Sequence, residues 1–255
     1  MSAKTLRADP HTEASVHSWD LSTGVDGPGT RFVLFLSGCP LRCLYCQNPD
    51  TWYMRDGKRR RLDSILEDLA MYRRFLQVAG GGVTCSGGEP MLQSEFVTAF
   101  FAAAKDWELS TALDTSGLLG IRADTALLEV TDLVLLDIKS FDPATYRRVT
   151  SKEVEPTLVF ARRLAEAGQP MWIRFVLVPG LTDDPANVAG LADFVATLGP
   201  AVERVEILPF HRLGAQKYDA LRLPFPLRDT PAPDAQLIHR TTQLFAERDL
   251  PVLSA

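Results

Sequence analysis

A chain of 255 residues, 46% of them hydrophobic, is long enough to bury one sizeable core, and no stretch reaches the roughly 20 apolar residues of a membrane-spanning helix. The formal net charge of -5 excludes a general nucleic-acid footprint, which calls for a basic surface. Its 4 cysteines, three of them crowded between positions 39 and 46, are no disulfide framework, so the expected setting is a reducing, cytoplasmic compartment without membrane attachment.

From the N-terminus, residues 1–15 are polar with no apolar signal core and read as a flexible tail, ahead of a single domain over 16–255. Gly24-Val25-Asp26-Gly27-Pro28-Gly29 is a turn-rich loop carrying one carboxylate. Apolar β-type runs follow at 32–36, 83–86, 111–114, 133–137, 172–178 and 204–208. Helical patterns lie at 63–78, 92–107, 122–130, 156–167, 186–198 and 233–248. Lys58-Arg59-Arg60-Arg61 reads as a solvated loop rather than a docking patch for an acidic partner. The segment 221–234 holds Pro224, Pro226, Pro231 and Pro233 and reads as an extended surface strap. Strand and helix alternate strictly, which means parallel strands with right-handed crossovers. Six such units are two short of a closed eightfold barrel. The expected fold is α/β, a partial (β/α)6 barrel.

In such folds ligands collect at the C-terminal ends of the strands. Cys39, Cys43 and Cys46 follow the first strand with C-x3-C-x2-C spacing. Three thiolates can hold three irons of a [4Fe-4S] cube and leave the fourth open to a ligand. A structural zinc site wants four Cys or His ligands, but His11, His17, His211 and His239 all lie away from the triplet. Cys85, after the second strand, reads as a small core residue rather than a fourth ligand. Gly87-Gly88-Glu89 lets backbone approach a ligand closely, although a glycine turn before a helix is common. Asp114-Thr115 and Asp137-Ile138-Lys139 end the third and fourth strands; each alone could be a cap or an ion pair. Together they offer two carboxylates, a hydroxyl and an ammonium, a set that suits a zwitterionic ligand with a small cation.

The triplet with Tyr45 before its last cysteine, and Gly-Gly-Glu after the next strand, resembles the radical S-adenosylmethionine (SAM) superfamily. Within it, the runs 24–29, 42–48, 80–89, Trp172-Ile173-Arg174 and Leu208-Pro209-Phe210-His211 are similar to the pyruvate formate-lyase activating enzymes, over roughly residues 16–250. The resemblance implies a [4Fe-4S] cluster on Cys39, Cys43 and Cys46, with SAM chelating the open iron. It implies SAM contacts at Tyr45, Cys46, Gln47, Gly87, Gly88, Glu89, Asp137, Ile138, Lys139, Arg174 and His211. A monovalent cation (Na+ or K+) would be held by Asp114, Thr115, the backbone of Leu135, and Asp137. Asp26 would engage the glycine-containing peptide of the partner.

The implied activity is reductive cleavage of SAM to methionine and a 5'-deoxyadenosyl radical, which takes a Cα hydrogen from a glycine of a glycyl-radical enzyme. Pyruvate formate-lyase is the expected partner, a flavodoxin or ferredoxin the electron donor, and the chain itself a monomer. The other enzyme reading is a radical SAM enzyme acting on a small molecule or nucleotide; Asp26 in its glycine-rich loop speaks for the protein partner. Two positions depart from the family: Gln47 stands where the best-known members carry His, and Cys85 where small or apolar residues are usual. No cysteine-rich insertion follows the first strand, which weighs against the activases that carry an auxiliary cluster.

Overall fold

The computed structural model describes residues 9–254. They fall into two compact units, each assembled from separate stretches of chain. One comprises the chain up to Cys39, Thr51–Thr115 and Ile121–Val134; the other comprises Pro40–Asp50, Ser116–Gly120 and the chain from Leu135 onward.

The first unit holds strands β1 (Glu13–Thr23), β2 (Thr30–Leu36), β3 (Lys58–Arg61), β4 (Gly82–Gly87) and β5 (Ser110–Thr115), in the order β3-β1-β2-β4-β5. Parallel pairing joins β2 to β4 and β4 to β5, whereas β1 runs antiparallel to both β2 and β3. Phe32, Val33 and Leu34, Val83 and Cys85, and Ala112 and Leu113 are all fully buried. These unbroken apolar runs are what a strand covered on both faces requires. Helices α1 (Leu62–Ala70), α2 (Arg73–Val78), α3 (Ser94–Asp106) and α4 (Thr125–Glu129) complete the unit. The apolar face of α1 is Leu62, Ile65 and Leu69, the stripe expected of a helix on a sheet.

Three expectations are corrected here. β1 opens at Glu13, inside the segment read as a tail; of that segment, residues 1–8 lie outside the described residues. Its alternation is hard to see in sequence because the register shifts between Val16 and Ser18, which breaks the period of two. Lys58–Arg61 is a strand, not a loop. Four cations in a row are tolerated because Arg59, Arg60 and Arg61 pair with Glu13, Asp68 and Asp63. The helix expected over 63–78 is also interrupted, at Met71 and Tyr72, where the Tyr72 ring meets Trp19 edge-on at 5.5 Å.

The second unit takes the end of β6 (Leu133–Asp137) with β7 (Met171–Leu177), β8 (Val202–Pro209) and β9 (Val252–Ser254), in that order; β7, β8 and β9 are parallel. Its helices are α5 (Pro143–Thr150), α6 (Glu155–Glu166), α7 (Pro185–Ala196), α8 (Ala215–Ala220) and α9 (Ala235–Ala246). Helices α5 and α8 and strand β9 were not expected. Yet α5 is announced by Asp142-Pro143: the carboxylate accepts a hydrogen bond from Thr145 N at 2.7 Å, and Pro143 supplies the first-turn φ. The proline-rich segment 221–234 carries no helix or strand. Among the described residues no helix is long and apolar enough to cross a membrane.

Candidate active site

In the first unit, the ends of β2, β4 and β5 are tied together by backbone. Cys39 leaves β2 with its N–H donating to Trp52 O at 3.0 Å, and Gly38 N donates to Thr51 O at 2.7 Å. The Gly87-Gly88-Glu89 turn crosses directly over this exit: Gly88 N reaches Leu36 O and Glu89 N reaches Gly38 O, both at 2.8 Å. A Cβ on Gly88 would collide with the Gly38 carbonyl, so glycine is required for close backbone approach. The Glu89 side chain is buried and does structural duty, accepting hydrogen bonds from Met91 N at 3.2 Å and from the Thr115 hydroxyl at 2.7 Å. Asp114 accepts one from Ser86 at 2.6 Å. Asp26 sits in its loop with its carbonyl accepting from the Thr84 hydroxyl at 2.7 Å.

In the second unit, the cysteine loop is pinned to the end of α5. Arg42 N donates to Thr150 O and Leu44 N to Val149 O, both at 3.0 Å, and Cys46 N closes a turn onto Cys43 O at 3.1 Å. Gln47 then fastens the loop to the segment after β8. Its amide nitrogen donates to the carbonyls of Tyr45 and His211, and its oxygen accepts from Gly214 N. Lys217 on α8 adds bonds to Asn48 at 2.8 Å and to Asp50 at 3.0 Å. Fixing the cysteine loop thus depends on two helices that periodicity did not reveal.

Asp137 and Lys139 form an ion pair at 2.8 Å, with both side chains largely buried. The Lys139 ammonium lies 6.0 Å from the centre of the Tyr45 ring, whose hydroxyl is buried without a hydrogen-bond partner. Burial alone would lower the pKa of Lys139, but the Asp137 carboxylate outweighs it and holds the ammonium above its ordinary value. Burial pushes the Cys43 thiol up to about 12, against the pull of Lys139.

Arg174 adjoins this group through its main chain, its carbonyl accepting a hydrogen bond from Ile138 N at 3.1 Å. Arg174 sits within β7, not at its end, and its guanidinium meets Glu206 at 3.5 Å. Glu206 also takes Arg204, whose guanidinium stacks on Trp172 at 3.7 Å. Leu135 and Ile138 are fully buried. Cys85 is fully buried, and burial raises its thiol pKa, as befits a packed thiol.

A sequence model described as the radical SAM superfamily matches residues 33–192. The chain is also 40% identical over 229 residues to the pyruvate formate-lyase-activating enzyme of Listeria monocytogenes serovar 1/2a, covering 88% of this chain and 92% of that one. To its counterpart in Staphylococcus aureus USA300 it is 43% identical over 232 residues, covering 88% and 91%. The chain belongs to the radical SAM superfamily, in the family of the pyruvate formate-lyase-activating enzymes. A crystal structure of a domain of such an enzyme from Bacteroides vulgatus superposes with a TM-score of 0.57 at 27% identity, covering 69% of this chain and 99% of that one.

Membership in the radical SAM superfamily brings the α/β fold of a partial barrel with parallel strands, and with it a [4Fe-4S] cluster and SAM. The donors present fit such a cluster. Cys43 lies in the field of a buried ammonium that favours anionic sulfur.

Proposed function

We propose that this radical SAM protein is an activase that reductively cleaves SAM and removes a Cα hydrogen from one glycine of a glycyl-radical enzyme of the pyruvate formate-lyase type. The observation that carries the reading is identity of 40% and 43% to activating enzymes across 88% of the chain. The bound, reduced cluster supplies the single electron that splits the sulfonium of SAM.

The chain's own residues position and shield. Cys39, Cys43 and Cys46 hold the cluster; Tyr45, Cys46, Gln47, Gly87, Gly88, Glu89, Asp137, Ile138, Lys139, Arg174 and His211 surround SAM. Lys139 and Asp137 offer opposite charges to the carboxylate and ammonium of the methionine moiety, as charge-assisted contacts require. Asp114, Thr115, Asp137 and the Leu135 carbonyl take a monovalent cation. Asp26 orders the glycine-bearing loop of the partner, and a flavodoxin or ferredoxin delivers the electron. Residues 16–255 work as one catalytic domain.

Asp26→Ala tests the reading. Hydrogen abstraction needs reacting atoms about 3 to 3.5 Å apart, so the variant should release methionine from SAM yet yield far less glycyl radical, counted by EPR per partner subunit. A wild-type protein that cleaves SAM, radicalises no such partner and consumes a small molecule would overturn it.

A further inference from the structure

The loop that bears Asp26 stands on a buried arginine. Arg31, the second residue of β2, is fully buried, and no function has so far been assigned to it. Its Nε donates to the Thr84 hydroxyl at 3.0 Å, and that hydroxyl donates its own proton to the Asp26 carbonyl at 2.7 Å. One arm of the guanidinium reaches Ser110 Oγ at 2.6 Å and lies 3.5 Å from Pro28 O; the other bonds the carbonyls of Val83 and, at 3.2 Å, Ser110. Gly27, with φ at 118°, lies over this group: a Cβ there would stand 3.4 Å from Arg31 Nε in a conformation L residues rarely adopt. Burial lowers the Arg31 pKa to about 10, with the Asp132 and Asp26 carboxylates acting against the fall, so the group stays cationic at neutral pH.

A guanidinium at the base of a surface loop, away from solvent, is costly unless its donors are satisfied. Here two of its acceptors belong to the loop or to the residue that holds it: the Pro28 carbonyl and the Thr84 hydroxyl. The loop is also closed upon itself, Gly24 N donating to Gly29 O at 3.2 Å, while Val25 at its tip is 60% exposed. The result is a rigid, exposed tip on a fixed foundation.

We propose that Arg31 and Thr84 are positioning residues for recognition of the partner's glycine loop: the relay from Arg31 through the Thr84 hydroxyl to the Asp26 carbonyl fixes the conformation in which the 24–29 loop receives that peptide. The proposal rests on the reading of Asp26 as a partner-binding residue. Preorganising a loop in its bound conformation strengthens binding by removing an ordering cost, so the relay acts on peptide affinity and not on SAM.

Thr84→Val is the test variant, since it keeps the volume and removes only the hydroxyl. Holoenzyme with SAM is titrated anaerobically with a fluorescently labelled peptide carrying the glycine loop of a pyruvate formate-lyase-type enzyme. Thr84→Val should weaken peptide binding by about tenfold, equivalent to about 1.4 kcal/mol, and speed amide exchange at residues 24–29, with SAM affinity unmoved. Thr84→Ser should restore both, because it returns the hydroxyl. Ser110→Ala serves as the comparison: it strips one Arg31 acceptor but leaves the Thr84 bond, and should bind peptide nearly as wild type does. If Ser110→Ala loses as much affinity as Thr84→Val, or if Thr84→Val binds peptide normally while Asp26→Ala does not, the relay is refuted. If Asp26→Ala binds peptide normally, the partner-site reading falls instead, and with it the role given to the relay.

Discussion

Gly214 donates its backbone N–H to Gln47 Oε1 at 2.7 Å, while the amide nitrogen of the same side chain serves the carbonyls of Tyr45 and His211 at 3.2 Å each. One primary amide thus satisfies three main-chain groups, two of them in the segment after β8. Each such bond is worth about 1 kcal/mol net. Gln47→Ala should therefore loosen residues 211–214, seen as faster amide exchange there, and weaken SAM binding by about fivefold to tenfold, with iron content unchanged. Normal exchange together with normal SAM affinity would mean the contact holds nothing in place.

Cys39→Ser, Cys43→Ser and Cys46→Ser should each lose the iron-sulfur cluster, because each leaves a second iron without a thiolate. Cys85→Ser should retain it, since Cys85 is packed inside β4 with no exposed surface. Iron analysis and the EPR signal of the reduced cluster distinguish the two cases. Loss of both in a folded Cys85→Ser protein would make Cys85 a ligand and remove the open iron.

Asp137→Ala should weaken SAM binding by roughly tenfold to a hundredfold, the range for a charge-assisted contact of about 1.5 to 3 kcal/mol. It should also lower the melting temperature, because a largely buried Lys139 ammonium then lacks its carboxylate. Adding Lys139→Met removes that orphaned charge and should recover stability but not SAM affinity. Calorimetric titration and thermal unfolding on the same preparations separate the two effects; parallel recovery of both would place the pair outside the ligand site.

Asp132 provides a pH test away from the chemistry. Burial works to raise its pKa, but hydrogen bonds from Lys105 and from the Thr111 backbone outweigh it, so the folded value lies below the unfolded one. Its contribution to stability is then fully present above the ordinary carboxylate value of about 3.9 and is lost as the pH falls through the lower, folded value. Asp132→Asn should lower the melting temperature at pH 7, with the gap to wild type shrinking below about pH 4. A gap that does not change with pH would rule out this linkage.

Membership in the radical SAM superfamily was legible because motif spacing is a local property. Three cysteines within one loop, and a Gly-Gly-Glu turn after the next strand, need no tertiary information to be noticed. The strands at the six apolar runs were equally plain, since strands buried on both faces read as continuous apolar runs. What escaped was written in partners rather than in periodicity. β3 is all cation, and its strand character depends on pairing with β1 and on carboxylates at Glu13, Asp63 and Asp68. α8 is only six residues long, too short for an amphipathic signature, although Tyr218 buries one side of it. Arg31 looked like a polar residue bordering an apolar run; only the fold shows that it lies beneath the loop carrying Asp26. For α5 the signal existed in Asp142-Pro143 and was passed over.

The anchoring of the cysteine loop also sets a schedule for maturation. Its fastenings at Val149, Thr150, Gly214 and Lys217 are translated long after the cysteines, Gly214 coming 167 residues after Gln47. At a synthesis rate of about 5–20 residues per second, that interval lasts roughly 8 to 33 s. During it Gln47, beside the last cysteine, lacks its partners at His211 and Gly214. A ribosome stalled before Gly214 would display the cysteine motif without the bond from Gly214 that fastens Gln47.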